Sequence, residues 1–206
     1  MNIEVEIKVK VDSLKEIKNK VSKIGKLIKA VKQVDEYYVP AHRDFFAKKP
    51  HPTEWLRVRT NPDKVVWEYT RSVNPKEDGD YDYAEEYETE ISDPEELRKI
   101  LRFLDFKKSI TVEKDREYWM CDKIEVALDS VKGLGFFVEA EAKGNFKSDK
   151  EAKKECIKFL ENLGIKEVKK IRSKKATRSC FLKNLLNYSF SQVLLQGLLL
   201  QGPSLQ

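Results

Sequence analysis

The chain has 206 residues, of which 36% are charged, and its 40 Lys and Arg residues nearly balance 35 Asp and Glu residues to give a net charge of +5. The length suffices for one domain with a substantial core. The even charge balance argues against a protein that mainly coats a nucleic-acid backbone, so DNA is not expected as a partner.

The N-terminal segment 2–11, NIEVEIKVKV, predicts a strand with one aliphatic and one charged face, because apolar and charged residues alternate. Glu4 and Glu6 lie on the same side of that strand, roughly 6.5–7 Å apart. Two interpretations are open. Taken alone, the segment favours a solvated surface strand over a metal and anion site.

Helical spacing of apolar residues predicts three helices, over 13–25, 93–106 and 148–164. Ser13 and Asp93 are the expected N-caps of the first two, and Gly25 is the expected end of the first. The remaining strand-like segments are 27–39, 54–60, 64–72, 83–91, 109–121, 122–131 and 136–144. Hairpin-length connections between most of them predict an α+β fold with an antiparallel sheet.

The C-terminal tail differs in composition, because no charged residue occurs from Asn184 to Gln206. Its apolar runs are too short and too interrupted for a membrane span. An interaction helix and a non-native extension are both open interpretations. We therefore expect a functional domain over 1–175 and a separate tail over 176–206.

The charges on the predicted strands are sorted by sign, strand by strand. Like charges on one strand face repel, and a solvated surface does not require such sorting. Beyond Glu4 and Glu6, the same-face groups are Arg57 with Arg59, Trp67 and Tyr69 with Arg71, Glu86 and Glu88 with Glu90, Lys114 with Arg116, and Glu139 with Glu141.

Sorted charges make sense if the charged faces point inward at a common ligand. Carboxylates would hold Mg²⁺ or Mn²⁺, and the basic side chains would neutralise phosphoryl oxygens. A closed antiparallel barrel with a charged interior, flanked by helices on its aliphatic exterior, meets both demands and removes the sheet edges.

Five motifs in order resemble the CYTH family, the triphosphate tunnel metalloenzymes. They are the ExExK segment from Glu4 to Lys8, LRVR at 56–59, EEYETEI at 85–91, TVEKDREYW at 111–119 and ALDSVKGLGFFVEAE at 127–141. The resemblance covers roughly residues 2–175. It implies a closed eight-stranded antiparallel barrel that forms a tunnel.

The resemblance also implies roles for individual residues, with Lys8, Glu4 and Glu6 expected to be catalytic. The expected metal ligands are Glu4, Glu6, Asp129, Glu139 and Glu141. The expected triphosphate-binding residues are Lys8, Arg57, Arg59, Arg71, Lys114 and Arg116. Glu86 and Glu88 match further tunnel acids. Arg71 stands near the position where the family usually has a lysine.

The expected function is that of a cytoplasmic, Mg²⁺- or Mn²⁺-dependent enzyme acting on a triphosphate such as ATP, tripolyphosphate or thiamine triphosphate. Hydrolysis is the first choice, because residues that accompany class IV adenylyl cyclases are missing, among them a tyrosine after Ser173. Cyclisation of ATP to cyclic AMP and pyrophosphate is the alternative. Two alternative functions stay open, a non-catalytic polyphosphate-binding module and a purely structural domain. A homodimer is also possible as the oligomeric state.

Overall fold

The computed structural model describes residues 2–46, 52–74 and 83–165. The predicted tail, and most of the loop expected after Asn74, lie outside the described residues. The three helices are α1 (Lys15–Ile24), α2 (Pro94–Phe103) and α3 (Asp149–Asn162). The strands are β1 (Asn2–Glu4), β2 (Glu6–Val11), β3 (Lys26–Val39), β4 (Glu54–Thr60), β5 (Val65–Val73), β6 (Tyr83–Glu90), β7 (Lys107–Cys121), β8 (Ile124–Val131) and β9 (Gly135–Ala142).

The strands form a single antiparallel sheet in the order β1-β6-β5-β4-β3-β7-β8-β9-β2. The predicted α+β class and antiparallel sheet are therefore confirmed. The N-terminal strand predicted over 2–11 is split at Val5, so that β1 pairs with β6 while β2 pairs with β9. Counted as one strand, β1 and β2 bring the total among the described residues to eight.

The closed barrel is not confirmed, because the hydrogen-bonded order runs linearly from β1 to β2. These two edge strands are nevertheless consecutive in the chain. Only Val5 separates them, and its carbonyl oxygen accepts a hydrogen bond from the backbone N–H of Ala142, 3.0 Å away. One continuous N-terminal segment thus reaches both ends of the strand order.

The aliphatic face of the sheet packs against the helices. Ile7 and Val9 of β2 belong to a buried cluster with Val21 of α1 and Cys156 and Leu160 of α3. On the other half of the sheet, Leu97 and Leu101 of α2 pack in a second cluster with residues of β3 and β4. Burial of these apolar side chains is the main stabilising term for the fold.

The opposite face of the sheet is charged along most of its length and apolar at one end. The apolar end is a buried cluster from five strands and their connections, comprising Tyr37, Trp55, Ile110, Val112, Val131, Leu134 and Phe137, with Phe46 packed against it. Tyr37 and Trp55 meet edge to face, with ring centroids 5.9 Å apart. Aromatic and aliphatic side chains therefore fill this end of the charged face.

Two of three predicted helix termini are confirmed. Asp93 caps α2 as expected, accepting hydrogen bonds from the backbone N–H groups of Glu95 and Glu96. The N-cap of α1 is Leu14 and not Ser13, whose hydroxyl oxygen accepts only from Lys15 N at 3.2 Å. Gly25 ends α1 as predicted.

Candidate active site

The charged face gathers side chains from β2 to β9 because residues two apart on a strand point to the same side. Cross-strand register then sets their neighbours: Lys8 lies opposite Glu139, Arg116 opposite Asp129, and Asp35 opposite Arg59. Opposite charges meet in all three pairs. In these three pairs, the sign sorting within strands seen in the sequence becomes charge pairing between strands.

The first group of ionic residues, the Asp129 cluster, consists of Lys8, Arg116, Asp129 and Glu139. Arg116 donates from Nε to Asp129 Oδ1 at 2.6 Å and from Nη2 to Oδ2 at 2.7 Å. Lys8 Nζ lies 2.9 Å from Asp129 Oδ2 and 2.8 Å from Glu139 Oε2. Arg116 Nη2 also reaches Glu139 Oε2 at 3.1 Å. Asp129 is fully buried, and both of its oxygens contact cations of the protein.

Pairing outweighs burial in this cluster. Burial opposes the charged form of Lys8, but attraction to Asp129 and Glu139 is stronger, so the pKa of Lys8 is raised. Burial likewise acts to raise the pKa of Asp129, whereas Arg116 and Lys8 lower it below its ordinary value. Cations and carboxylates here stabilise one another in their charged forms.

The second group, the Asp35 cluster, consists of Asp35, Arg57, Arg59 and Lys114. Arg59 contacts Asp35 at two points, Nε to Oδ1 at 2.7 Å and Nη2 to Oδ2 at 3.0 Å. Lys114 Nζ lies 3.1 Å from Asp35 Oδ2, and Arg57 Nη1 lies 3.8 Å from the same atom. A single buried carboxylate thus gathers three cations.

The Asp35 cluster shifts the pKa values of its members in different ways. Against the effect of burial, Arg59, Lys114 and Arg57 hold the pKa of Asp35 well below its usual range. For Lys114, burial and the neighbouring charge of Arg116 outweigh Asp35 and lower the pKa to about 7. Lys114 is therefore the cation of this face whose charge changes near neutral pH.

Arg57 has an unused donor at the centre of this arrangement. Its Nη2 donates to Glu68 and also lies 3.8 Å from Glu86 Oε1. Its Nε, by contrast, is buried and has no hydrogen-bond partner among the described residues. A buried N–H without an acceptor is costly, and an anion on this face would satisfy it.

Acidic side chains border Arg57 on the side of β5 and β6. Glu68, Glu86 and Glu88 can place one carboxylate oxygen each within 4.8 Å of the others, and they form the one such group of three within the described part of the chain. Carboxylate oxygens suit hard divalent cations such as Mg²⁺ and Mn²⁺. The expected tunnel acids Glu86 and Glu88 are thus brought together with Glu68.

The other expected metal ligands are distributed differently. Glu6 lies opposite Glu141 across β2 and β9, and Lys143 Nζ contacts Glu141 Oε1 at 2.6 Å. Asp129 and Glu139 contact Lys8 and Arg116, as described above. The side chain of Glu4 lies outside the described residues, although its backbone pairs with Ala84 of β6.

Arg71 is not brought to the charged face. It alternates with Thr70 on β5, shares its side with Tyr69, and has a half-exposed side chain. Its Nη2 pairs with Glu85 Oε2 at 2.6 Å. Since Tyr69 packs with the cluster around α2, Arg71 lies on the helix side of the sheet.

Two buried acids of the site, Asp35 and Glu68, are missing from the sequence-based set. Glu68 could have been predicted from the sequence. The turn that links β4 and β5 pairs Thr60 with Val65, and this register places Glu68 opposite Arg57. Asp35 gives a weaker signal. It precedes another acid, Glu36, and sequence alone does not show which of the two faces inward.

The chain is similar to known proteins along most of its length. The model of the CYTH domain matches residues 2–173. "Putative adenylate cyclase MJ0240" of Methanocaldococcus jannaschii is 34% identical over 172 residues, covering 82% of this chain and 94% of the relative. The PH1819 protein of Pyrococcus horikoshii has a solved structure with a TM-score of 0.67 and 29% identity, covering 79% of this chain and 91% of that one.

The fold also resembles "Putative adenylyl cyclase HpAC1" from Hippeastrum, described as having a dominant triphosphatase activity. That likeness has a TM-score of 0.53 at 18% identity, covers 79% of this chain and 88% of the other, and is one of fold alone. No helix in the described ranges is long and apolar enough to span a membrane. The family match over residues 2–173, together with the 34% identical relative, shows that the chain belongs to the CYTH domain family.

Proposed function

We propose that this protein is a divalent-metal-dependent enzyme that processes a triphosphate-bearing substrate, with hydrolysis of the triphosphate as its main reaction. The observation that carries the proposal is the buried Nε of Arg57, which has no acceptor among the described residues and lies on a surface of paired basic and acidic side chains. Five basic side chains belong to that surface, namely Lys8, Arg57, Arg59, Lys114 and Arg116, and each lies beside a carboxylate. Phosphoryl oxygens are the acceptors that such a surface fits best.

The shape of the sheet supports enclosure of the substrate. Because β1 and β2 are consecutive and end the strand order on either side, we propose that the sheet curls so that the charged face surrounds the triphosphate. Enclosure in a water-poor interior would strengthen every ionic contact to the phosphoryl groups. The apolar end at Trp55 and Phe137 would close one side of this space.

A divalent metal ion fits the acidic residues of the charged face. Glu68, Glu86 and Glu88 are the group whose oxygens lie close enough to share an ion. We propose these three as the principal ligands, with Glu6, Glu139, Glu141 and Glu4 as a second acidic wall. When bound, Mg²⁺ or Mn²⁺ neutralises phosphoryl oxygens and lowers the pKa of a bound water. Asp129 is assigned to holding Arg116 and Lys8, because it is fully buried and makes a close two-point contact with Arg116.

The basic side chains bind and orient the triphosphate, and their charges stabilise the negative charge that spreads over the transferring phosphoryl group. In hydrolysis, the oxygen of a water molecule bonds to the terminal phosphorus. The bond from that phosphorus to the bridging oxygen breaks, and orthophosphate and a diphosphate leave. Lys8 and Arg116 are held ready for this role by Asp129, so little reorganisation accompanies the reaction.

Cyclisation of ATP is the second candidate, and the similarity to the Methanocaldococcus protein favours it. In that reaction the 3′-hydroxyl oxygen of the ribose bonds to the α-phosphorus, and pyrophosphate leaves. The same cations would hold the triphosphate for either reaction. The difference lies in which phosphorus faces the nucleophile.

The experiment that tests the proposal offers ATP, tripolyphosphate and thiamine triphosphate with Mg²⁺ or Mn²⁺ and measures phosphate, pyrophosphate and cyclic AMP. Phosphate release supports hydrolysis, whereas pyrophosphate with cyclic AMP supports cyclisation. Arg57→Gln should lower kcat/KM about 10- to 100-fold through loss of charged hydrogen bonds. Arg71→Gln, a matched change on the helix side of the sheet, should leave it near the unmodified value. Binding without any turnover would leave only the polyphosphate-binding module.

A further inference from the structure

Gln33 of β3 presents a second unused polar atom on the charged face, at the end away from the apolar end. The residue is 2% exposed and stands two positions before Asp35, so both side chains point to the same side. Its Nε2 donates to Asn61 Oδ1 at 2.7 Å and to the Tyr118 hydroxyl oxygen at 3.2 Å. Its Oε1 is buried and accepts no hydrogen bond from any described residue.

A buried amide oxygen without a donor is unfavourable, because it has lost its hydrogen bonds to water and gained none. The hydrogen bonds from the NH₂ group of Gln33 to Asn61 and Tyr118 hold the amide in place and so fix the direction of its oxygen. The site is therefore organised in advance to accept one N–H or O–H bond.

The position of Gln33 relative to the cations indicates what would supply that donor. Gln33 lies directly opposite Lys114 across β3 and β7, and it neighbours Asp35 of the Asp35 cluster. On the other side of the same cluster, Tyr37 and Trp55 are buried in the apolar end. A group attached to a triphosphate on these cations therefore finds filled space in one direction and the Gln33 amide in the other.

Tyr118 and Asn61 complete the site as half-buried residues at its border. The Tyr118 ring is fixed by Lys29, whose Nζ lies 4.7 Å from the ring centroid, and by Arg116, whose Cζ lies 5.3 Å from it. Arg116 belongs to the Asp129 cluster, so this ring contacts the phosphate-binding surface directly. An organic group that reaches Gln33 would consequently lie next to Tyr118.

We propose that Gln33, with Asn61 and Tyr118, binds the organic part of the substrate by accepting a hydrogen bond at Gln33 Oε1. The proposal rests on the proposed function and narrows it. The substrate is an organic triphosphate that carries an N–H or O–H donor, such as the amino group of a heterocycle or a sugar hydroxyl, in preference to inorganic tripolyphosphate.

The test compares ATP with tripolyphosphate in the full chain with Mg²⁺, using KM for a compound that is turned over and an inhibition constant for one that is not. Gln33→Leu removes the acceptor and should weaken the binding of ATP about tenfold. The binding of tripolyphosphate should be unchanged. A folding defect would weaken both compounds equally, so the ratio between them isolates the hydrogen bond. Equal effects on both compounds, or on neither, would overturn the proposal.

Analogues of ATP then identify the donor. Purine riboside triphosphate lacks the 6-amino group, and 2′-deoxy-ATP and 3′-deoxy-ATP each lack one hydroxyl. One analogue lacks the donor that Gln33 Oε1 accepts from. This analogue should bind the unmodified protein as weakly as ATP binds the Gln33→Leu variant. Its affinity should be the same for the variant and for the unmodified protein. If Gln33→Leu weakens all three analogues as much as it weakens ATP, the assignment of a single donor is overturned. If neither ATP nor tripolyphosphate binds the unmodified protein, the proposed function itself fails.

Discussion

Arg116 and Asp129 form a buried two-point ion pair, with Nε–Oδ1 at 2.6 Å and Nη2–Oδ2 at 2.7 Å. Lys8 approaches the same carboxylate at 2.9 Å. The carboxylate that the family resemblance led us to expect as a metal ligand therefore contacts the two cations that we propose to contact the phosphates. We therefore expect Asp129 to be required for the stability of the charged face.

Neutralising Asp129 should destabilise the fold strongly. Asp129→Asn leaves Arg116 and Lys8 buried with one counter-charge fewer, a defect that typically costs about 3–5 kcal/mol. Urea unfolding monitored by tryptophan fluorescence measures the change. Asp115→Asn serves as the control, because the pair of Asp115 with Lys32 is exposed and its loss should stay within about 0.5 kcal/mol. An equally small cost for Asp129→Asn would contradict the assignment.

Affinity for the anion should depend on the charge of Lys114. Its pKa is lowered to about 7, so the cationic form dominates below that pH and the neutral form above it. Because the cation attracts phosphoryl oxygens, KM for the triphosphate should rise as pH increases through 7. The pH series is repeated with Lys114→Arg, which keeps its charge and should not show this rise. Protonation of the triphosphate itself affects both proteins equally, and identical profiles would therefore exclude Lys114 as the cause.

Metal affinity should depend on Glu88 more than on Glu90. Both belong to β6 and are exposed, but only Glu88 falls within the acidic group with Glu68 and Glu86. Glu88→Gln removes a carboxylate ligand and should weaken Mn²⁺ binding by roughly tenfold or more. Even the loss of a residue that only contacts a metal ligand can lower metal affinity this much. Electron paramagnetic resonance of free Mn²⁺ reports this without any turnover. Among the described residues Glu90 forms a surface ion pair with Lys64, and Glu90→Gln should bind Mn²⁺ as the unmodified protein does.

The junction between α1 and β3 should not tolerate a side chain at Gly25. A Cβ there would lie 2.3 Å from Cys121 Sγ and 2.9 Å from the Met120 carbonyl oxygen. Gly25→Ala should therefore lower the free energy of unfolding by ~1–3 kcal/mol, as overpacking does. Adding Cys121→Ala removes one of the two clashes, so the double variant should lose less than the sum of the single changes. Strict additivity in thermal unfolding would argue against this contact.

The sequence allowed the elements and the sorting of charges to be predicted, because alternation along a strand is a local property. It did not reveal which charges pair, since that depends on the register between strands distant in the chain. Lys8 and Asp129 are separated by more than a hundred positions, for example, and meet only because β8, β9 and β2 are neighbours. Arg71 was expected among the phosphate-binding residues because of its place near a family lysine, yet strand alternation at Thr70 places it on the helix side.

The Asp35 cluster likewise could not be predicted from the sequence. Asp35 stands beside Glu36 in the chain, and the two acids point to opposite faces of β3. Asp35 meets the cations of the charged face, while Glu36 pairs with Arg98 of α2 at 2.6 Å. The helix that takes up Glu36 comes from far along the chain, so the assignment required the packing of the whole sheet.

The central claim is that the charged face binds the triphosphate, and a crystal structure with tripolyphosphate and Mn²⁺ tests it most directly. We expect phosphoryl oxygens within hydrogen-bond distance of Arg57 Nε and Lys114 Nζ, with Mn²⁺ among Glu68, Glu86 and Glu88. Tripolyphosphate bound only on the helix side of the sheet, with no phosphoryl oxygen near Arg57 Nε or Lys114 Nζ, would contradict the account.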